Sequence, residues 1–537
     1  MPAAPTSHTP PGTRTARAAT VGVGVLVLVP ALGLAAFALD PPPDPFGGPA
    51  PSLLDLLAAP GMGSLVLGTL ALGLGVALGA VLVGGLLAYA AERLDFPGRR
   101  WLSVLTVLPL ALPSYIIAST TSRALSRGGP IGDLLGLQRF GGVLAAVVVL
   151  TVATAPYVQL VVRAALSRAG GATEEAARTL GASPWRAFQH GTLPALRPAL
   201  AYGGLVALLY ATSDFGAVAV LDAPVLTWRL FEAVTHQDLA RATLFALLLL
   251  AVVGPLYIGT RVVRGDSAGP GVANPRAAAR RRPGWLLGGA VALAAVLQIG
   301  LGLIIPVASQ LSWVLDGLHR GLAFAPLVEP VVHSTLAAAV AAVVTAALAL
   351  GPAWGAGQQR GPWHTASEQV AYLPSAVPGV LVAFGLLLAG LALTRGLGHA
   401  EWYAPLLGSG VLLVTGWSLR FVAEAFGPLR ASALQVDPRL WQAARVLGGQ
   451  RGRYLSSVVA PALAPGAGAA ALVAFVAVLK ELPVTLVLGS ATGLRPLPYR
   501  IWDRYSEALW HDAGLAGLVL VAVALGAVWS TLKEPSA

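Results

Sequence analysis

Apolar runs long enough to cross a lipid bilayer take up most of this chain, and they leave few folds open to it. Crossing the hydrocarbon needs about 20 consecutive apolar residues. Twelve stretches reach or approach that length: near 20–39, 64–91, 101–122, 141–162, 199–221 and 242–260, then 285–308, 331–353, 370–394, 404–421, 464–489 and 512–531. With 56% hydrophobic residues, only 11% charged and a mean hydropathy of +0.74, the composition is not that of a soluble domain. The expected fold class is an all-α polytopic membrane protein of about twelve transmembrane helices.

An even number of spans puts both termini on one side. With the amino terminus inside, Arg93, Arg99, Arg100, the 163–197 loop, the Arg261–Arg282 region and the 420–453 loop all face the cytoplasm, as the positive-inside rule requires. The formal net charge of +11 therefore reads as topology. The arginines are scattered between apolar runs and form no basic face with interleaved aromatics, so nucleic acid is not an expected partner. The chain has no cysteine, which removes disulfides, thiolate metal sites and cysteine nucleophiles together. Residues 1–19 read as a disordered cytoplasmic tail and 264–284 as a cytoplasmic linker, its Arg280-Arg281-Arg282 triplet acting as a topology signal. The first run is read as a retained span, a cleaved signal peptide being the alternative.

The two halves, 20–263 and 285–537, are related by duplication. Glu175-Ala176-Ala177, Gly181 and Pro194 recur as Gln442-Ala443-Ala444, Gly448 and Pro461, each pair 267 residues apart. Each copy sits in a polar, arginine-bearing loop, 168–198 and 435–463, within a largely apolar chain. The loop chemistry predicts two short helices. Thr173 can cap a helix whose first turn carries Glu174 and Glu175 at the positive end of the dipole, and Gly181 can end it in the left-handed conformation. Ser183-Pro184 then starts a second helix, and Pro194 and Pro198 turn the chain toward the membrane. Asp437-Pro438, Gly448-Gly449, Pro461 and Pro465 are the same devices in the second copy. An amphipathic interfacial elbow would use the same punctuation, but a surface loop repeated in register implies a repeated contact.

The spacing Glu-Ala-Ala, three residues, Gly, nine residues, a hydrophobic or small residue, any residue and Leu193-Pro194 resembles the signature of binding-protein-dependent ABC importer permeases. Gly191 stands where an aliphatic is usual. The resemblance covers both halves and is best for the fused, two-repeat permeases of ferric-iron importers. It implies two pseudo-symmetric halves of the MetI-like permease fold in a bacterial inner membrane. It also implies coupling helices, here 173–190 and 438–457, that fit grooves on two ATP-binding cassette ATPase subunits. Coupling residues would then be Glu175, Ala176, Ala177, Gly181, Leu193, Pro194, Gln442, Ala443, Ala444, Gly448 and Pro461. The second copy departs from the signature, with Gln442 for glutamate and Ala460 for leucine, so the two contacts need not be equal. A periplasmic or lipid-anchored solute-binding protein would deliver the cargo.

Further pairs keep the register: Arg163 with Arg430 and Asp214 with Glu481 are 267 apart, and Pro109 and Pro113 recur as Pro374 and Pro378 at 265. An ionisable group inside the membrane costs about 3 kcal/mol, so Asp214, Lys480 and Glu481, with Pro483, are candidates for a translocation path or gate. Alternatively Lys480 snorkels and Glu481 satisfies backbone. The prolines can open a backbone-lined path or simply kink a helix.

No phosphate-binding loop is present, since the only lysines are Lys480 and Lys533 and neither has that context. ATP must be bound by the partner subunits, and no cofactor or resident metal is expected in this chain. His190 and His236 read as surface residues, and no nucleophile elbow or metal-ligand cluster supports an enzyme. Ferric iron is the expected cargo and thiamine the alternative. An ion-coupled secondary transporter, the reading from a different class, would use internal repeats and intramembrane carboxylates but would not need the elbows.

Overall fold

The computed structural model describes residues 12–39, 53–169, 172–267, 280–397, 408, 410–489 and 492–532. The described residues are helical throughout, apart from turns and one isolated bridge between Leu94 and Arg281. A helix satisfies its backbone polar groups internally, which lipid demands. Met62–Arg93 shows how such a helix is built: Leu72, Val76 and Ala80 are fully buried on one side, while Leu74, Leu78 and Leu82 are more than 60% exposed on another. A helix that is apolar on both its packed and its open side belongs in a membrane.

Among the described residues nine helices are long and apolar enough to span, and eleven if two bent pairs are each taken as one. The expectation of about twelve is thus approximate. The difference falls at 404–421, where the structure has the ten-residue helix Val411–Arg420, a break at Phe421 and a further helix, Val422–Gln435. Its counterpart in the first half, Gly142–Ala169, is continuous. The first helix begins at Thr13, so residues 13–19 extend the first span and are not part of a disordered tail. Residues 1–11, linker residues 268–279 and Lys533 lie outside the described residues.

Contacts divide the chain into two compact units. One joins the Thr13–Leu39 helix to Ala323–Arg504 and the chain from Val519, and the other joins Pro51–Leu322 to Tyr505–Leu518. Both have the same core of three mutually packed helices. These are Met62–Arg93, Gly142–Ala169 and Leu193–Ser213 in one unit, and Val328–Gln358, Val422–Gln435 and Ala460–Leu479 in the other. The sequence halves and the spatial units differ in one respect, because the leading helix of each half packs into the unit built on the other half. Thr13–Leu39 lies against Gly379–Leu397 and Val328–Gln358, and Trp285–Ile299 with Ile305–His319 lies against Met62–Arg93 and Ser114–Leu125.

Small residues allow these exchanged packings. A Cβ on Gly33 would fall 2.3 Å from the Gly385 carbonyl, and one on Gly385 would fall 2.4 Å from the Pro30 carbonyl, so only glycine lets the two backbones approach this closely. Gly302 has the same part in the other unit, where a Cβ would meet Pro109 and Val152 at 2.7 Å. Buried Gln298 adds polar anchorage there, donating to the Val152 carbonyl at 2.8 Å and the Thr106 carbonyl at 3.3 Å.

Candidate functional sites: two elbows and two bent helix pairs

The first elbow comprises the helix Ala172–Thr179, the short helix Pro184–Ala187 and a π-turn Phe188–Thr192 that leads into the spanning helix Leu193–Ser213. The second comprises Arg439–Val446, Arg451–Tyr454, a π-turn Leu455–Val459 and the spanning helix Ala460–Leu479. The two π-turns are offset by 267 residues at both ends, so the sequence register persists in the backbone hydrogen bonding. Each first helix ends in a Schellman turn. Gly181 N–H donates to the Arg178 carbonyl at 3.0 Å and Ala182 N–H to the Ala177 carbonyl at 3.0 Å. Gly448 N–H and Gly449 N–H donate to the Arg445 and Ala444 carbonyls at 3.1 and 2.7 Å. The pivots, Gly181 at φ +86° and Gly448 at φ +73°, occupy the left-handed region that glycine enters without steric cost.

Helix starts are less alike. Ser183 caps its helix as expected, its Oγ accepting from Arg186 N–H at 3.4 Å, and Asp437 Oδ1 accepts from Arg439 N–H at 2.8 Å. The first elbow helix starts at Ala172, so Thr173 lies inside the first turn and does not precede it as a cap. Glu174 accepts from the Thr192 hydroxyl at 2.9 Å and ties the helix to the start of the span. Trp441, its counterpart 267 residues on, is buried against Tyr454 with ring centroids 5.1 Å apart. The elbows thus share a backbone but are braced by different chemistry.

Glu175, Ala176, Gln442 and Ala443 are all exposed, and Ala177 and Ala444 are partly buried. Pro194 and Pro461 are exposed at the first turn of their spanning helices, and Leu193 beside Pro194 is partly buried. Sequence reading missed Leu180 and Leu447, again 267 apart, which are 88% and 84% exposed at the ends of the two elbow helices, next to the pivot glycines. The repeat itself could have found them, since a leucine precedes the pivot glycine in both copies. Arg163 and Arg430, on the helices that lead into the elbows, are both ion-paired, to Glu92 at 3.1 Å and to Glu368 at 2.7 Å.

The second pair of sites is set by proline. Leu112 and Val377, each followed by proline, are held extended with ψ of 136° and 124°, as the steric demand of the proline ring requires. The helix pairs Arg99–Ala111 with Ser114–Leu125 and Pro362–Ala376 with Gly379–Thr394 are bent there by 102° and 101°. The paired prolines therefore break the helices and do more than kink them. Beside each break stands one of the paired carboxylates. Asp214 accepts from Ser114 Oγ at 2.6 Å and from Ala217 N–H at 2.8 Å, which caps the helix Gly216–Val220. Glu481 accepts from Val484 N–H at 3.0 Å, Thr485 N–H at 3.3 Å and the Trp417 indole at 3.2 Å, which caps Pro483–Gly489. Both carboxylates satisfy backbone donors where a spanning helix ends. Pro483 opens the helix that Glu481 caps, and Lys480 sits partly buried at the end of Ala460–Leu479.

Two units on one plan, each with a three-helix core, a bent helix pair and a glycine-turned elbow, define a two-repeat membrane permease. Residues 58–264 match the family model of the binding-protein-dependent transport system inner membrane components, and the chain is a multi-pass permease of the ABC importer kind. It is 26% identical over 478 residues to the Fe(3+)-transport system permease protein FbpB 2 of Haemophilus influenzae, covering 87% of this chain and 89% of the relative. It is 27% identical to the probable ABC transporter permease protein y4fN of Sinorhizobium fredii, over 83% of this chain and 82% of that one. A shorter match, 32% identical, covers 31% of this chain and 64% of the sulfate transport system permease protein CysT of Escherichia coli.

Proposed function

We propose that this permease carries ferric iron inward and that its elbows are the points where two separate ATPase subunits drive it. The elbow reading is carried by Leu180 and Leu447, apolar side chains 88% and 84% exposed at equivalent pivots and flanked by the outward-facing Glu175 and Gln442. Twin apolar knobs on a polar loop fit twin grooves on a paired partner. ATP bound by the partners closes them, draws the elbows together and switches the cavity from inward-facing to outward-facing. A periplasmic or lipid-anchored binding protein then releases its cargo. The elbows and both termini face the cytoplasm on this reading, in accord with the placement of the arginines. Asp214 and Glu481 hold the bent pairs in shape beside the path, with Lys480 and Pro483 at the same junction. The permease itself needs no cofactor.

The iron assignment is supported by extent. The relative named for Fe(3+) transport matches across both halves, whereas the Escherichia coli sulfate permease matches 31% of this chain. Reconstitution with the cognate ATPase and binding protein, followed by ATP-dependent uptake of radiolabelled ferric iron, sulfate and thiamine, tests the cargo. Sulfate or thiamine uptake without iron uptake would overturn the assignment, and uptake driven by an ion gradient without ATP would overturn the coupling scheme.

A further inference from the structure

Arg281, the middle residue of the triplet read as a topology signal, has specific partners. Its N–H donates to the Arg93 carbonyl at 3.0 Å and its own carbonyl accepts from Asp95 N–H at 2.8 Å, which forms the bridge to Leu94. Its guanidinium donates to the Tyr89 hydroxyl at 2.6 Å and lies 5.7 Å from the centroid of that ring. Tyr89 is buried and meets Phe188 edge-on at 5.3 Å, and Phe188 stacks on Trp185 at 5.7 Å. A continuous line of contacts thus runs from the end of the inter-half segment into the second helix of the first elbow. The second elbow is seated by other parts. Counted from the helix end, at an offset of 265, Trp354 stands for Tyr89 and is buried in the cluster with Trp441 and Tyr454, while Leu455 stands for Phe188 and Gly452 for Trp185 at 267.

We propose that Arg281 is a positioning residue of the import cycle, which seats the first elbow, and only the first, through Tyr89 and Phe188. This rests on the elbows being the force-bearing contacts. A planar guanidinium can stack on a ring and donate to its hydroxyl at once, whereas an ammonium supplies only a point charge. The segment between the halves therefore ends in a clip on one elbow, and the two elbows differ in stiffness under the same load.

The chain has no native cysteine, so a single introduced one reports cleanly. Arg186 and Arg453 are exposed, equivalent positions on the second helices of the two elbows. Arg186→Cys or Arg453→Cys, nitroxide-labelled in the full-length permease in lipid nanodiscs, reads the mobility of each elbow. Arg281→Ala is expected to raise the mobile fraction at 186 roughly five-fold, the population equivalent of one hydrogen bond, and to leave 453 unchanged. Arg281→Lys should recover only part of the order. Phe188→Leu, which copies the second elbow, should match Arg281→Ala, and the two together should add nothing further. Unchanged mobility at 186, equal loosening at both positions, or additive effects would each overturn the proposal. ATPase association is measured in parallel. If the elbow loosens while association and coupled uptake are untouched, the contact with the elbow stands but its part in the import cycle is overturned, whereas the reading of the elbows as force-bearing fails only if removing Leu180 and Leu447 together leaves ATPase association unchanged.

Discussion

Gly379 faces Glu481 so closely that a β-carbon there would lie 2.8 Å from Oε1, whereas the equivalent Ser114 donates its hydroxyl to Asp214 at 2.6 Å. One junction therefore uses serine with the shorter acid and the other glycine with the longer one, and the two solutions are not interchangeable by halves. Gly379→Ser should cost roughly 1–3 kcal/mol through overpacking. Gly379→Ser with Glu481→Asp should recover most of that loss. Thermal melts of the purified permease decide it, since equal melting temperatures for the single and double variants would remove the steric account.

Glu481 also accepts from the Trp417 indole and from two backbone N–H groups. Glu481→Ala leaves these buried donors without an acceptor, at about 1–3 kcal/mol for each that water does not reach. Glu481→Gln keeps one acceptor oxygen and should lie between alanine and the native protein. Asp214→Ala loses the cap of a shorter helix and should cost about 1 kcal/mol. If Glu481→Gln melts like the native protein while transport is lost, the negative charge matters in the path and not as a cap.

No atom lies near a β-carbon built on Gly181 or Gly448, yet both have positive φ. Alanine at either site should therefore cost about 1 kcal/mol for conformational reasons alone, asparagine less, and Gly181→Val more. The cost should appear as faster limited proteolysis at the elbow and weaker ATPase association, with membrane insertion intact. Insertion failure in Gly181→Ala would show that the turn serves folding and not docking.

Leu180→Ala and Leu447→Ala remove side chains that pack on little else in the chain, so melting temperatures should hardly move. ATPase association should fall by roughly ten-fold or more for each, the value of one leucine buried at an interface. Glu175→Ala should weaken the first contact, while Gln442→Glu should make the second elbow resemble the first. Unaltered association in the double leucine variant would place the docking surface elsewhere.

The elbows were largely readable in the string because their devices are local: a left-handed glycine, a proline at a helix start and a motif repeated at fixed spacing. The pairing of Asp214 with Glu481 was equally visible, and backbone satisfaction by Glu481 was one of its two readings, since the capped N–H groups lie three and four residues on; the support from Ser114, Trp417 and Gly379, distant in sequence, was not visible. At 404–421 the apolar run shows length, but not that the helix described there, Val411–Arg420, ends where Phe421 interrupts the chain.

Apolar content and the 267-residue register were sufficient to establish a membrane-embedded, duplicated chain with two elbows, because burial preference and repetition are properties of each residue and its near neighbours; the permease reading came from the resemblance of the elbow motif. The exchange of leading helices, the bends of about 100° and the hold of Arg281 on the first elbow emerged only once the chain was packed. A helix apolar on every side carries no mark of which neighbour it will meet. That choice was made where small residues from distant segments, such as Gly33 and Gly385, could bring two backbones into contact.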